Sequence, residues 1–198
     1  MRLLVKRSAV NGILRWGQRI LLSSAVLALG YCGFVAFGSW NFQRNELREF
    51  YRIQSVASPA VSRHSTALPD ALVGRIEVRR LGLSAMVVEG TTAAALRRAA
   101  GHIAGTGMPG VAGNVGIAAH RDTFFRPLRN IRKNDVVTLT TVNAEYRYRV
   151  VSTKVVDPGD VSVLNAGDHE ILTLVTCYPF YFVGSAPNRF IVRAERII

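Results

Sequence analysis

The chain has 198 residues, about half of them hydrophobic (49%), a net charge of +12 and two cysteines. That length suits one ordinary domain plus an extra segment. The composition excludes a disordered chain and a disulfide-stapled miniprotein.

The positive charge is first of all a topological signal. Arg2, Lys6, Arg7, Arg15 and Arg19 crowd the N-terminus with no acid among them. Ile20 to Gln43 then carries no charged side chain. As a helix that stretch reaches roughly 36 Å, enough to cross a hydrocarbon core of about 30 Å. Trp16 and Trp40 flank it, where amphipathic rings favour the headgroup level. The positive-inside rule therefore gives residues 1–19 as a cytoplasmic N-terminus and 20–43 as a single-pass anchor in the cytoplasmic membrane. The chain beyond the anchor is then extracytoplasmic. The competing reading is a cleaved signal peptide with Ala36-Phe37-Gly38 as a loose cleavage site, although the apolar run is long for one. Cys32 has no lipobox around it and behaves within the span as a small apolar residue.

Residues 44–71 read as a juxtamembrane stalk and linker. The stalk continues the helix to about Gln54, and Ser55 to Ala71 is rich in Ser, Ala and Pro without a helical stripe. The soluble domain is expected over 72–198. Its strand signals are RIEVR from Arg75, SAMVVEG from Ser84, NVGIAA from Asn114, VVTLTT from Val136, EYRYRVVSTKVV from Glu145, EILTLVT from Glu170 and RFIVRAE from Arg189. Helical patterning is confined to TTAAALRRAA, with a threonine cap, and to TFFRPLRNI. Many short strands with interspersed turns indicate a mainly β domain, a barrel or a sandwich of mostly antiparallel strands.

With Cys32 assigned to the membrane, Cys177 is effectively a lone thiol outside the cytoplasm. It is a reactive residue, half of an intermolecular disulfide, or an inert core cysteine. A nucleophilic thiol works as thiolate and needs a partner that favours the charge. His120 closes an apolar strand as Cys177 closes its own, so the two can meet at one rim. Acyl transfer also needs a donor where a carbonyl becomes an oxyanion. Arg189, cationic and fork-shaped, opens the strand after the one ending in Cys177. The constellation is Cys177 as nucleophile, His120 as acid/base and Arg189 as oxyanion or substrate donor. Asp122 is a candidate for orienting the imidazole, or else a turn residue.

TLVTC followed by Arg189 at the head of the next strand, with His120 closing an earlier one, resembles the sortases, cysteine transpeptidases of bacterial cell surfaces. RRLGLSAMVVEGT, GHIAGTGMPGVAGNVGIAAHRDTFFRPLRNI and LVTCYPFYFVGSAPNRFIVRA look most like class D members, and the likeness covers Gly74 to Ala194. It implies a closed eight-stranded β-barrel with one or two short helices and a type II membrane anchor. It also implies cleavage of an LPXTG-like sorting signal through a thioacyl enzyme. An amine on the cell envelope, such as a peptide amine, then resolves that intermediate. Ala118, Val175, Thr176 and Ile191 are expected to line the peptide groove. No C-terminal anchor, aromatic Asp-Pro lid or long insertion between Val156 and Ile171 is present in the sequence, which sets the chain apart from other classes. Two departures are Ala119 before the histidine, where the family more often has Gly, and Arg79, where members usually carry Pro.

The rivals are an exported cysteine endopeptidase, in which water resolves the acyl enzyme, and a non-catalytic barrel that binds surface proteins. An L,D-transpeptidase would place Ser-His-Gly near its cysteine, and TLVTCYPF does not. His102, in a Gly-rich stretch, reads as structural and His64 as a solvated linker residue. No metal site or cofactor is expected. Asp157, Asp160, Asp168 and Glu170 offer a Ca²⁺ possibility but read as a polar loop. The glycines from Gly105 to Gly113 lack a P-loop lysine. No nucleic-acid motif accompanies the positive charge, so nucleic acid is not an expected partner. An anionic envelope polymer or lipid surface is the simpler one.

Overall fold

The computed structural model describes residues 7–56, 71–182 and 184–197. The chain divides into two units, Met1–Asn41 and Phe42–Ile198. Helix α1, Arg7–Val56, runs through the basic N-terminus, the uncharged stretch and the expected stalk. Among the described residues no helix is long and apolar enough to cross a membrane. The side chains of Val35, Ala36, Ser39, Phe42 and Gln43, within the expected anchor, lie outside the described residues, as does most of the linker with His64.

The second unit contains eight strands: β1 Leu72–Val78, β2 Leu83–Glu89, β3 Ala100–His102, β4 Gly113–Ala118, β5 Val136–Thr140, β6 Glu145–Val156, β7 Glu170–Tyr178 and β8 Asn188–Ile197. They close into a barrel in the order β1-β2-β3-β4-β7-β8-β6-β5. Alternation along the strands sends one set of side chains inward. Val78, Ile117, Leu139, Tyr148, Leu174 and Val192 are fully buried there. Each such aliphatic side chain contributes about 1.5–3 kcal/mol over its exposed state.

Two pairs are parallel, β2 with β3 and β4 with β7. The other neighbours are antiparallel. Parallel pairing requires a crossover. The first contains helix α2, Ala93–Arg98, whose N-cap Thr92 accepts from the Ala95 N–H at 3.1 Å. The second contains the β5–β6 hairpin. Around the barrel, these pairings make β1, β4, β6 and β7 all run the same way. The ends of β4 and β7 therefore share one rim with the β1–β2 turn, opposite the end where Leu72 enters.

The helical pattern over TTAAALRRAA breaks earlier than its composition suggests. Ala99 is already extended (φ −150°), and Ala100 to His102 form β3, which the sequence pattern did not reveal. A side chain on Gly101 would run into the Gly90 carbonyl oxygen, so this close approach requires glycine. TFFRPLRNI forms a 3-10 turn at Arg126–Asn130 rather than an α-helix.

Candidate active site

Interior residues of β4 are odd-numbered and those of β7 even-numbered. Their parallel register pairs Ile117 with Leu174 inside and Ala118 with Val175 outside. Carried two residues further, it sets His120 level with Cys177. The backbone supports this extension: Ala119 N–H donates to Val175 O at 3.2 Å, and the buried Thr176 hydroxyl donates to Ala119 O at 2.7 Å. On the far side the N–H of fully buried Phe125 donates to His120 O at 3.1 Å. His120 is thus held from both neighbours. Ala119, 5% exposed, faces the core, where only a small side chain is needed.

On the other flank of β7, Cys177 is paired directly with Arg189 in the antiparallel β7–β8 ladder. Such partners sit about 4.5–5.5 Å apart at Cα with side chains on one face. His120, Cys177 and Arg189 therefore form one row across three neighbouring chain segments. Cys177 is half-buried and a free thiol. Arg189 donates through Nη1 to Asn188 O at 3.0 Å and Ala186 O at 3.3 Å. Its Nε and Nη2 have no hydrogen-bond partner among the described residues. A thiol, an imidazole and a half-committed guanidinium in a row can attack a carbonyl, move a proton and hold an oxyanion.

The next rung of the same outer face is Ala118, Val175 and Ile191. Ala118 and Val175 are partly exposed. Ile191 is only 2% exposed and with Val163 lines a cavity of about 20 Å³. Thr176 is a correction. It was expected on the groove, but by strand alternation its side chain lies on the interior face, where its hydroxyl ties β7 to β4. Asp122 is exposed in the turn after His120, and no hydrogen bond joins the two. His102, the last residue of β3, is buried, with Nδ1 2.8 Å from Glu89 and Nε2 2.9 Å from Gly107 O.

The sequence pattern missed the arginines that hold the loop between Cys177 and Arg189. Arg121 Nη2 donates to Phe182 O at 2.6 Å and Gly184 O at 3.0 Å. Its guanidinium lies 5.9 Å from the Phe182 ring centroid, and its buried Nη1 has no partner among the described residues. Arg129 Nη1 donates to Tyr181 OH at 3.0 Å. Beneath the loop, Tyr178, Phe180 and Phe190 pack with centroids 5.3–6.2 Å apart. Arg121 was visible only as the residue after His120, because its partners are about sixty positions away.

Of the suggested calcium ligands, Asp160 accepts from the Ser162 N–H at 3.1 Å, which lowers its carboxyl pKa together with the shorter hydroxyl bond that is the main cause. Glu170 accepts from Tyr148 OH, from the Gly110 N–H at 2.8 Å, and pairs with Arg196 at 3.4 Å. Among the described residues no three His, Cys, Asp or Glu side chains converge as metal ligands.

With this geometry in place, a sortase-domain family model matches residues 76–197. The chain belongs to the sortase family. Its sortase domain is 36% identical over 125 residues to sortase D of Bacillus subtilis, covering 63% of each chain. It is 34% identical over 112 residues to sortase A of Listeria monocytogenes, covering 54% of this chain and 50% of that protein. The match thus spans less than two thirds of the length of either relative. Among solved structures, a Clostridium perfringens sortase D5 transpeptidase matches with a TM-score of 0.68 at 26% identity. That alignment covers 80% of this chain and 99% of the other. The eight-stranded barrel expected from the sequence is the sortase fold.

Proposed function

We propose that this sortase is a membrane-anchored cysteine transpeptidase of class D type. The observation that carries the reading is the cross-strand pairing of Cys177 with Arg189, with His120 level on the other side. The Cys177 thiolate attacks the carbonyl carbon of an LPXTG-like sorting signal lying over Ala118 and Val175. Arg189 donates to the oxyanion through the nitrogens its own backbone leaves free. The C–N bond breaks as His120 gives a proton to the leaving amine, which leaves a thioester on Cys177. An incoming envelope amine loses its proton to His120 and attacks that thioester, and the thiolate departs. Thiol, imidazole and guanidinium supply every group these steps use, so the proposal calls for no cofactor.

The same reading makes the uncharged stretch at 20–43 of α1 a single-pass anchor, with residues 1–19 inside and the barrel in the extracytoplasmic space. The basic N-terminus before the long uncharged run supports it.

The test is to incubate the full-length chain in detergent micelles with candidate sorting peptides, then look by mass spectrometry for an acyl adduct on Cys177. The expected result is a thioester in the wild type, a new amide when an amine is added, and neither product from Cys177→Ala. Equal hydrolysis with and without amine would make the protein an endopeptidase. Absence of any adduct from a folded protein would remove the enzymatic reading.

A further inference from the structure

A cationic surface continues from His120 on the side away from Arg189. Arg126, Arg129, Arg132 and Lys133, in the 3-10 turn and the loop after it, are all exposed. The β1–β2 turn adds exposed Arg79 and Arg80, and it is fastened to this segment. Arg80 Nη2 donates to Asn130 O at 2.7 Å, and its Nε is 2.5 Å from Asp135. Asp135 also accepts from the Arg132 N–H at 2.8 Å, so it offsets Arg80 and in part Arg132 and leaves Arg79, Arg126, Arg129 and Lys133 to set the sign of the surface. The other acid on the segment is Asp122. Tyr181, 78% exposed, stands beside this surface with its hydroxyl held by Arg129. This concentration of one sign lies on the rim that carries the catalytic row.

Its position decides what the surface meets. The apolar floor of Ala118 and Val175 lies on the strand side of Cys177, where the acyl part of a peptide fits. The oxyanion falls toward Arg189, and the amine that His120 deprotonates falls toward His120. The carrier of that amine therefore extends over residues 121–133. A field of exposed guanidinium groups accelerates the encounter with an anionic carrier and disfavours a cationic one.

We infer that this surface recruits the second substrate, and that the second substrate is a peptide amine whose carrier bears several carboxylates. The inference rests on the transpeptidase reading above. Guanidinium groups match carboxylates in a two-pronged geometry, and short anionic peptides present carboxylates and a primary amine together. Because the cations are solvated, their effect is largest at low salt, with a screening length of about 8 Å at physiological ionic strength.

The experiment compares full-length wild type with an Arg126→Gln, Arg132→Gln, Lys133→Gln triple variant. None of these residues belongs to the catalytic row or holds the loop. Each protein is acylated with one sorting peptide, then offered either a neutral amidated peptide amine or the same amine followed by three glutamates. In the wild type the acidic acceptor should react about tenfold faster in 25 mM salt than the neutral one, and the gap should close by 500 mM. In the variant the gap should be absent at all salt concentrations, with unchanged acylation rate, unchanged transfer to the neutral amine and an unchanged melting temperature. Equal use of both acceptors by the wild type overturns the inference, as does a preference that survives in the variant. A variant that is slow at acylation would assign the surface to the first substrate instead. Salt-sensitive binding of anionic vesicles, lost in the variant while transfer is unchanged, would assign it to lipid. If no peptide acylates the wild type, the transpeptidase reading itself fails, and that outcome is seen before any acceptor is added.

Discussion

Cys177 and Arg189 are direct cross-strand partners in the β7–β8 ladder, although twelve positions separate them in the chain. Arg189 uses one nitrogen to hold the Ala186 and Asn188 carbonyls, where the loop between the two strands ends. The pairing puts the two residues on one face of the sheet, and among the described residues the Arg189 Nε and Nη2 have no hydrogen-bond partner.

Arg189→Ala should lower kcat/KM for a sorting peptide by about 10²–10³, the size of effect seen when an oxyanion donor is removed. Arg189→Lys keeps the charge and loses the planar fork, so it should rescue only a small part. Alkylation of Cys177 by iodoacetamide should persist in both variants. Near-normal turnover in Arg189→Ala would remove the arginine from the mechanism.

Arg121 acts as a positioning residue, because it holds the loop rather than the reacting atoms. Arg121→Ala should raise KM for the peptide about tenfold with a smaller change in kcat, and it should speed proteolytic cleavage within residues 179–187. Arg121→Lys, able to reach one carbonyl in place of two, should fall between. A uniform loss of kcat with unchanged KM and an unchanged loop would show that Arg121 does something else.

Thr176→Val replaces the buried hydroxyl that bonds Ala119 O with a methyl of similar size. Denaturant unfolding should show a loss of about 1–2 kcal/mol. Turnover should fall several-fold as well, because the broken bond is the tie next to His120. A change in stability with no change in turnover would mean that Phe125 alone suffices to place the histidine.

The Arg80–Asp135 pair gives a pH signature. The Arg80 hydrogen bond, helped by the Arg132 N–H, holds the Asp135 carboxyl below the usual carboxylate range despite its burial. A depressed carboxyl stabilises the fold fully above the unfolded value of about 3.9 and loses that contribution as pH falls through the folded value. Asp135→Asn should therefore melt below wild type at pH 7, with the difference shrinking as pH drops below about 4. A gap that widened in acid would refute the assignment.

Much of this was legible in the chain. Alternation marked the first half of β6, where Tyr146, Tyr148 and Val150 turn inward against exposed Glu145, Arg147 and Arg149, whereas Ser152 to Val155 are exposed on both faces. Likewise, a lone thiol ending one strand, a histidine ending another and an arginine opening a third named the row, since each sat at a strand end where chemistry is accessible. β3 was hidden. Three residues are too few for a period, and Gly101 is required by the Gly90 carbonyl, which touches it across the fold rather than along the chain. Thr176 was misplaced because TLVTC does not state which face of β7 points inward. That choice is set by the register with β4 and β8.

The sequence by itself determined every strand but β3, the mainly β class and the identity of the candidate catalytic side chains, all of which come from local periodicity and from which residue types can do acyl chemistry. The tertiary structure decided that the barrel closes, that Cys177 faces Arg189, that Arg121 and Arg129 hold the loop, and that the turns at 79–80 and 126–133 merge into one cationic surface. Those are facts of pairing between distant segments. Strand register and long side-chain reach set them, and neither leaves a mark on a neighbouring residue.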